Sequence, residues 1–251
     1  MRISAASWRL YQRAHRELQD AAKKEFDVFF NSLPYGWDDE TTLRALQAKA
    51  IELVEKYGLA DSSLSAAFYD ELMAAQGVSL PACEALPPDV GFVRGDIASA
   101  AERATSTETM RSLMSSVVSG NVKRSGIRSM QAAALRDRTA WAWVCIGDTC
   151  AFCRTLGSRG WQQASKAVKA GRHAEHIHDN CDCQFVVKAP GSVLEIEGYD
   201  PDALLEQYDD AHGDINAMRR AEYTPEFAAE RNARRREQYA AARAESMQKD
   251  E

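Results

Sequence analysis

Five of the six cysteines in this chain are clustered between positions 145 and 183. Cys150 and Cys153 form a Cys-x-x-Cys pair, and His178, Cys181 and Cys183 follow in a His-x-x-Cys-x-Cys segment. Two cysteines separated by two residues at the start of a helix direct their thiolates to one centre. A returning segment with His and Cys can complete the tetrahedral coordination that zinc prefers. The pattern therefore predicts a bound zinc ion.

The predicted ligands outnumber the four positions of a tetrahedral site. Cys150 and Cys153 rank first, His178 and Cys183 follow, and Cys181 is the fifth candidate. A catalytic zinc site keeps one position open for water, so a surplus of ligands favours a structural ion. Disulfide pairing and thiols without a ligand are the alternatives.

Two neighbouring histidines are further candidates for the position of His178 among the zinc ligands. His176 could replace His178, and His173 is a more distant candidate. The sixth cysteine, Cys83, lies alone in a proline-containing stretch, which fits a buried thiol in a reducing compartment.

Charge and hydropathy argue against a general polyanion-binding protein and against a membrane-spanning protein. The chain has 251 residues, a net charge of -6 and a pI near 5.5, so any binding of nucleic acid has to be local. No stretch of 18 apolar residues and no leader-like start are present, and we expect a soluble protein made in a cytoplasm. Phosphate-binding loops and nucleophile elbows are also missing from the sequence.

Hydrophobic periodicity predicts a helical N-terminal region over 1–78. One helix is predicted from Ser4 to Phe30, a second ends at Gly58, and a third ends at Gly77. An irregular linker is predicted over 79–95. A helical connector is predicted over 96–138, with interruptions at Gly120 and Gly126.

The cysteine-rich stretch over 139–190 has a different pattern, which predicts a small zinc-binding α+β module. A strand is predicted from Thr139 to Ile146, a short helix from Ala151, a second helix over 162–170, and a strand over 183–187. A helical tail is predicted over 191–251, with one helix opening at Pro201 and the last after Thr224.

The predicted fold class is therefore α+β and predominantly α-helical: a helical N-terminal region, a small zinc-stabilised α+β module and a helical C-terminal tail. By analogy with small zinc modules, the ion would supply folding free energy on the order of 10 kcal/mol.

The segments 148–160 and 178–183 together resemble the core of the MuF-like minor capsid proteins of tailed bacteriophages. The resemblance spans about Trp141 to Val187 and includes the Cys-x-x-Cys pair, the Ser-Arg-Gly turn at Ser158 and the closing His-x-x-Cys-x-Cys segment. It implies a head-morphogenesis protein of the virion, present in few copies, bound to the portal or major capsid protein, and without catalysis.

Two other functions are weighed against this one. A zinc-dependent enzyme or toxin-like effector domain would use an open zinc position and a base such as Glu175. A zinc-containing nucleic-acid binder would use the C-terminal arginines, among them Arg234, Arg235 and Arg236, which could also contact packaged DNA. Glutamates are interleaved with those arginines, which is more typical of a solvated, salt-bridged helix surface.

Overall fold

The computed structural model describes residues 1–33, 36, 39–146, 149–164, 183–222 and 233. The described residues form seven helices: α1 Ala5–Asn31, α2 Glu40–Ala75, α3 Val90–Arg103, α4 Thr107–Asp137, α5 Ala151–Gly157, α6 Pro201–Asp210 and α7 Ile215–Glu222. They also form five short strands: β1 Arg2–Ile3, β2 Ala140–Val144, β3 Gln162–Gln163, β4 Gln184–Lys188 and β5 Glu195–Ile196. The predicted class, α+β and predominantly helical, is confirmed. None of the helices in this part of the chain is long and apolar enough to cross a membrane.

The first helix agrees with the sequence prediction. Ser4 is its N-cap, because the Ser4 side chain accepts a hydrogen bond from the Ser7 amide at 3.2 Å. Trp8 and Phe26 are buried along one face of α1, as their helical spacing predicts. Phe30 is buried as well, whereas Phe29, which the spacing placed on this face, is only partly buried.

The prediction that a helix ends at Gly58 is wrong, because α2 continues through this residue to Ala75. A Cβ atom at position 58 would lie 2.8 Å from Ser125 Oγ and 2.9 Å from Pro88 Cγ. The glycine therefore permits a close approach between α2 and α4 and does not end the helix. The interruptions predicted at Gly120 and Gly126 are also absent, since α4 runs unbroken through both; Gly126 faces Asp61 and Ser65 of α2 at close approach.

The bounds of the predicted linker and of the predicted helical connector also differ from the structure. α3 begins at Val90, inside the stretch 79–95 that was predicted to be irregular, because Asp89 accepts hydrogen bonds from the Gly91 and Phe92 amides. The connector predicted over 96–138 consists of two helices, because α3 ends at Arg103 and α4 begins at Thr107. Ser106 forms a capping box at the start of α4.

Helix α4 contacts α1, α2 and α3 and so lies at the centre of the helical region. Buried side chains form two clusters along it. One joins α1, α2, α3 and the first half of α4, and includes Phe26, Leu53 and Met114. The other joins the start of α1 and the second halves of α2 and α4 to the sheet, and includes Trp8 and Phe185. The sheet therefore shares its core with the helices.

The three-stranded sheet has the antiparallel order β3-β2-β4. Trp141 pairs with Val187 and Trp143 pairs with Phe185, and these side chains are buried. The helix predicted over 162–170 begins instead with β3, since Gln162 pairs with Trp141; the remainder of that prediction, from residue 165, lies outside the described residues. A separate parallel pair joins β1 to β5.

An acid-sensitive ion pair joins Glu25 of α1 to Lys56 of α2. The Lys56 ammonium, with help from Tyr57 and Lys49, lowers the pKa of Glu25 from 4.5 to about 2. Because the folded-state pKa is depressed, this carboxylate contributes stability that is present above the unfolded pKa and is lost as the pH falls toward 2. The Glu25 side chain is 34% exposed, so solvent screening limits the contribution to about 1 kcal/mol or less.

We therefore expect Glu25→Gln to lower the free energy of unfolding at pH 6 and to have a smaller effect as the pH falls from 4.5, so that wild type and variant converge only below about pH 2. Urea denaturation of both proteins at each pH measures this difference. A difference between them that does not change with pH would contradict it.

Candidate metal centre

The Cys-x-x-Cys pair lies at the N-terminus of α5. Cys150 is the N-cap residue, and its Sγ accepts a hydrogen bond from the Cys153 amide at 3.4 Å. Cys153 itself is fully buried, whereas Cys150 is half-buried. The Cys-x-x-Cys pair thus begins a helix, and Cys150 caps it through its sulfur atom.

The sheet brings the third cysteine to the same place. Cys183 directly precedes β4, and Gln184 pairs with Val144 at the end of β2. The end of β2 is also where the chain turns toward α5. Consequently Cys153 Sγ and Cys183 Sγ lie 3.5 Å apart, although 30 residues separate them in sequence.

This sulfur–sulfur distance discriminates between two kinds of linkage. A disulfide bond would place the atoms about 2.05 Å apart. Two thiolates bound to one tetrahedral zinc at about 2.3 Å each would be about 3.8 Å apart. The observed 3.5 Å therefore excludes a disulfide; it is the distance of a hydrogen bond between two thiols and is also compatible with two ligands of one zinc ion.

The other predicted ligands are only partly covered by the structure. His178 and Cys181 lie outside the described residues, as do the alternatives His173 and His176 and the acid Glu175. Within the described ranges, no three His, Cys, Asp or Glu side chains are grouped as a metal site. The full ligand set of five candidates therefore stays a prediction, of which the structure brings Cys153 and Cys183 together and places Cys150 on the same helical turn.

Cys145 is a further part of this centre that sequence reasoning did not single out. Its Sγ lies 2.9 Å from the carbonyl oxygen of Cys153, and the residue is 5% exposed. A Cβ atom at Gly157 would lie 3.1 Å from the same sulfur, so α5 packs closely against the end of β2. The signal for Cys145 was its position at the end of a predicted strand, beside the turn that leads to the Cys-x-x-Cys pair.

Elements from the predicted C-terminal tail pack on α5. The Tyr199 hydroxyl donates to the Gly157 carbonyl at 2.7 Å, and the Thr155 hydroxyl lies 3.6 Å from Met218 Sδ. Residues 194–218 thus support the helix that carries Cys150 and Cys153. The predicted last helix, after Thr224, lies outside the described residues except for Ala233.

A second polar cluster is sealed inside the helical region. His15 Nδ1 lies 2.6 Å from Asp61 Oδ1, and the two side chains are 4% and 1% exposed. Burial raises the pKa of Asp61, while the nearby His15 opposes this rise. No short-range pattern predicts this pair, because the two residues are 46 positions apart and meet only when α1 packs on α2.

The described chain is thus a predominantly α-helical α+β protein with a thiol-rich centre between a short helix and a sheet. It belongs to the VG15 protein family, whose model matches residues 2–211 and spans the whole cysteine-rich segment. This is a phage-associated family of viral gene products, so the chain is a phage protein, as the resemblance implied. No curated protein and no solved structure matches the chain.

Proposed function

We propose that this phage protein is a minor capsid protein of the MuF-like kind, which acts in head morphogenesis at the portal or the inner capsid. Membership of a phage-associated family supports the proposal. So does the contact between Cys153 and Cys183, because it joins the two segments on which the resemblance to MuF-like proteins rests. This contact is the observation that carries the proposal.

The same proposal includes a structural zinc ion. Cys150, Cys153 and Cys183 would hold it, with His178 or Cys181 as the fourth ligand. Bound there, zinc supplies a rigid crosslink between α5 and the start of β4, which are joined in sequence by a long intervening segment. A closed set of four protein ligands leaves no position for a reacting water, so we expect no turnover.

The role in the particle is architectural. The chain would present a helical surface and a metal-stabilised module to the portal or the major capsid protein. Packaged DNA is a further partner of this proposal through the C-terminal arginines, which lie outside the described residues.

Fractionation of phage assembly products tests this function. We expect the protein in purified proheads or mature heads at a few copies per particle, detected by quantitative mass spectrometry against the major capsid protein. We also expect retention of purified chain on immobilised portal protein. Absence from both kinds of particle, together with no retention on portal or major capsid protein, would overturn the proposal.

A further inference from the structure

A cleft with a volume of about 470 Å3 opens between β5 and the start of α6. Trp161 and Pro201 line one side, and Arg2 and residues 194–198 line the other. This volume falls in the range of ordinary ligand sites, about 300 to 1,000 Å3. The cleft is separate from the cysteine centre, because no cysteine lines it.

The walls of the cleft are held in place by contacts outside it. The Tyr199 hydroxyl is bonded to the Gly157 carbonyl, and the Lys188 ammonium lies 5.1 Å from the centre of the Trp161 ring. Leu194 and Ile196, each 4% exposed, anchor the opposite wall in the core. A partner would therefore meet a preformed surface and lose little free energy in ordering it.

The electrostatics of this region select a cation. Residues 189–218 contain eight acidic side chains and neither lysine nor arginine. Two of these acids, Glu195 and Glu197, line the cleft and are exposed. The Arg2 guanidinium is 3.9 Å from Glu197 with both side chains largely exposed, so this contact is weak and can be displaced. A phosphate backbone would be repelled by such a surface.

The backbone of β5 favours an extended ligand. The Glu195 and Glu197 amides donate to the Met1 and Ile3 carbonyls of β1. Since successive residues of a strand point their amides to opposite edges, the Ile196 amide and carbonyl are directed to the edge away from β1. The carbonyl already accepts from the Tyr199 amide at 3.0 Å, so an extended peptide would meet this edge through the Ile196 amide, with its side chains reaching the neighbouring walls.

We propose that this cleft binds an extended, arginine-containing segment of a partner protein. A guanidinium group can displace the Lys188 ammonium from the Trp161 ring, because it stacks better on aromatic rings, and it can pair with two carboxylate oxygens at once. The proposal depends neither on the zinc ion nor on the capsid role. Its failure would therefore leave the proposed function standing, and the reverse is also true.

Fluorescence anisotropy with a labelled hexapeptide of alternating proline and arginine tests the proposal on the full-length protein. Proline keeps the probe extended, and the matching proline–glutamate peptide is its negative control. We expect saturable binding of the arginine probe only. The double variant Glu195→Gln/Glu197→Gln should weaken it at least about tenfold, because two charge-assisted hydrogen bonds are lost.

A charge-matched variant separates the cleft from general attraction to an acidic protein. Asp209→Asn/Asp210→Asn removes the same charge from the exposed end of α6 and should change the affinity less than about threefold. Glu197 also accepts a hydrogen bond from the Ala5 amide, so the single variant Glu195→Gln provides a test that leaves this contact intact. Equal losses in the two double variants, no loss in Glu195→Gln, or no saturable binding to wild type would overturn the proposal.

Discussion

Protein purified without added metal is expected to contain about one zinc ion per chain, and its removal by a chelator should lower the free energy of unfolding by about 3 to 5 kcal/mol. The loss should be smaller than for an isolated zinc finger, because the sheet beside the site shares a core with α2 and α4. Elemental analysis and thermal unfolding with and without chelator measure the two quantities. Near-ultraviolet circular dichroism should report the same event through the Trp141–Phe185 stack, whose ring centres are 5.3 Å apart.

Replacement of Cys150 by serine separates a metal ligand from a helix cap. Serine is among the best N-cap residues, so Cys150→Ser should preserve the cap of α5 and be neutral or stabilising if capping is the only role of this residue. If Cys150 binds zinc, the variant should lose most of its metal and much of the stability that the metal provides. Zinc content therefore decides between the two roles even when the change in stability is small.

Cys83→Ser is the matched control. Cys83 is 8% exposed and its Sγ contacts the Ser129 carbonyl at 3.6 Å. Burial raises the pKa of the Cys83 thiol to about 11, so this sulfur stays protonated and is a poor metal ligand. The control should keep its full zinc content. Metal-free wild-type protein whose unfolding does not respond to chelator would contradict the predicted site.

Gly126→Ala is expected to destabilise the helical region by about 3 kcal/mol or more. A Cβ atom at position 126 would lie 2.2 Å from Asp61 Oδ2, 2.3 Å from Ser65 Oγ and 3.0 Å from the Asp61 carbonyl oxygen. Asp61 and Ser65 are each 1% exposed and have no room to move away. The added methyl group must therefore separate α2 from α4 or disrupt the buried pair of His15 and Asp61.

Gly95→Ala provides the comparison for this prediction. Gly95 also lies inside a helix, α3, but no heavy atom lies within 4 Å of its hypothetical Cβ. Alanine is the better helix former, so this change should stabilise the protein by about 0.5 to 1 kcal/mol. Urea denaturation of the two variants should give shifts of opposite sign. Stabilisation by both would mean that α2 and α4 do not approach closely at Gly126.

Ser4 and Gly58 illustrate which helix boundaries can be predicted from the sequence. The start of α1 was predictable because Ser4 and the stripe of Trp8 and Phe26 are local signals. The end predicted at Gly58 was wrong because local propensity cannot tell a glycine that ends a helix from one that admits a neighbouring helix. Only the crossing of α2 and α4 distinguishes the two uses.

The cysteine centre likewise has one feature that the sequence predicts and two that depend on the packing of distant elements. The spacing of Cys150 and Cys153 was enough to predict the start of a helix at this pair. The partnership with Cys183 depends on the register of β2 with β4, which pairs Val144 with Gln184. The contribution of Cys145 depends on the packing of α5 against the end of β2, for which no short-range pattern exists.

The sequence by itself determined the predominantly helical α+β class and the cysteine-rich segment, because periodicity, capping and ligand spacing act over a few residues. The phage origin followed from the resemblance to MuF-like proteins. The tertiary structure alone decided that α2 and α4 run unbroken, that His15 meets Asp61, and that Cys153 meets Cys183. The physical reason is separation along the chain: these contacts join residues 30 or more positions apart, and their geometry arises only when whole helices and strands pack against one another.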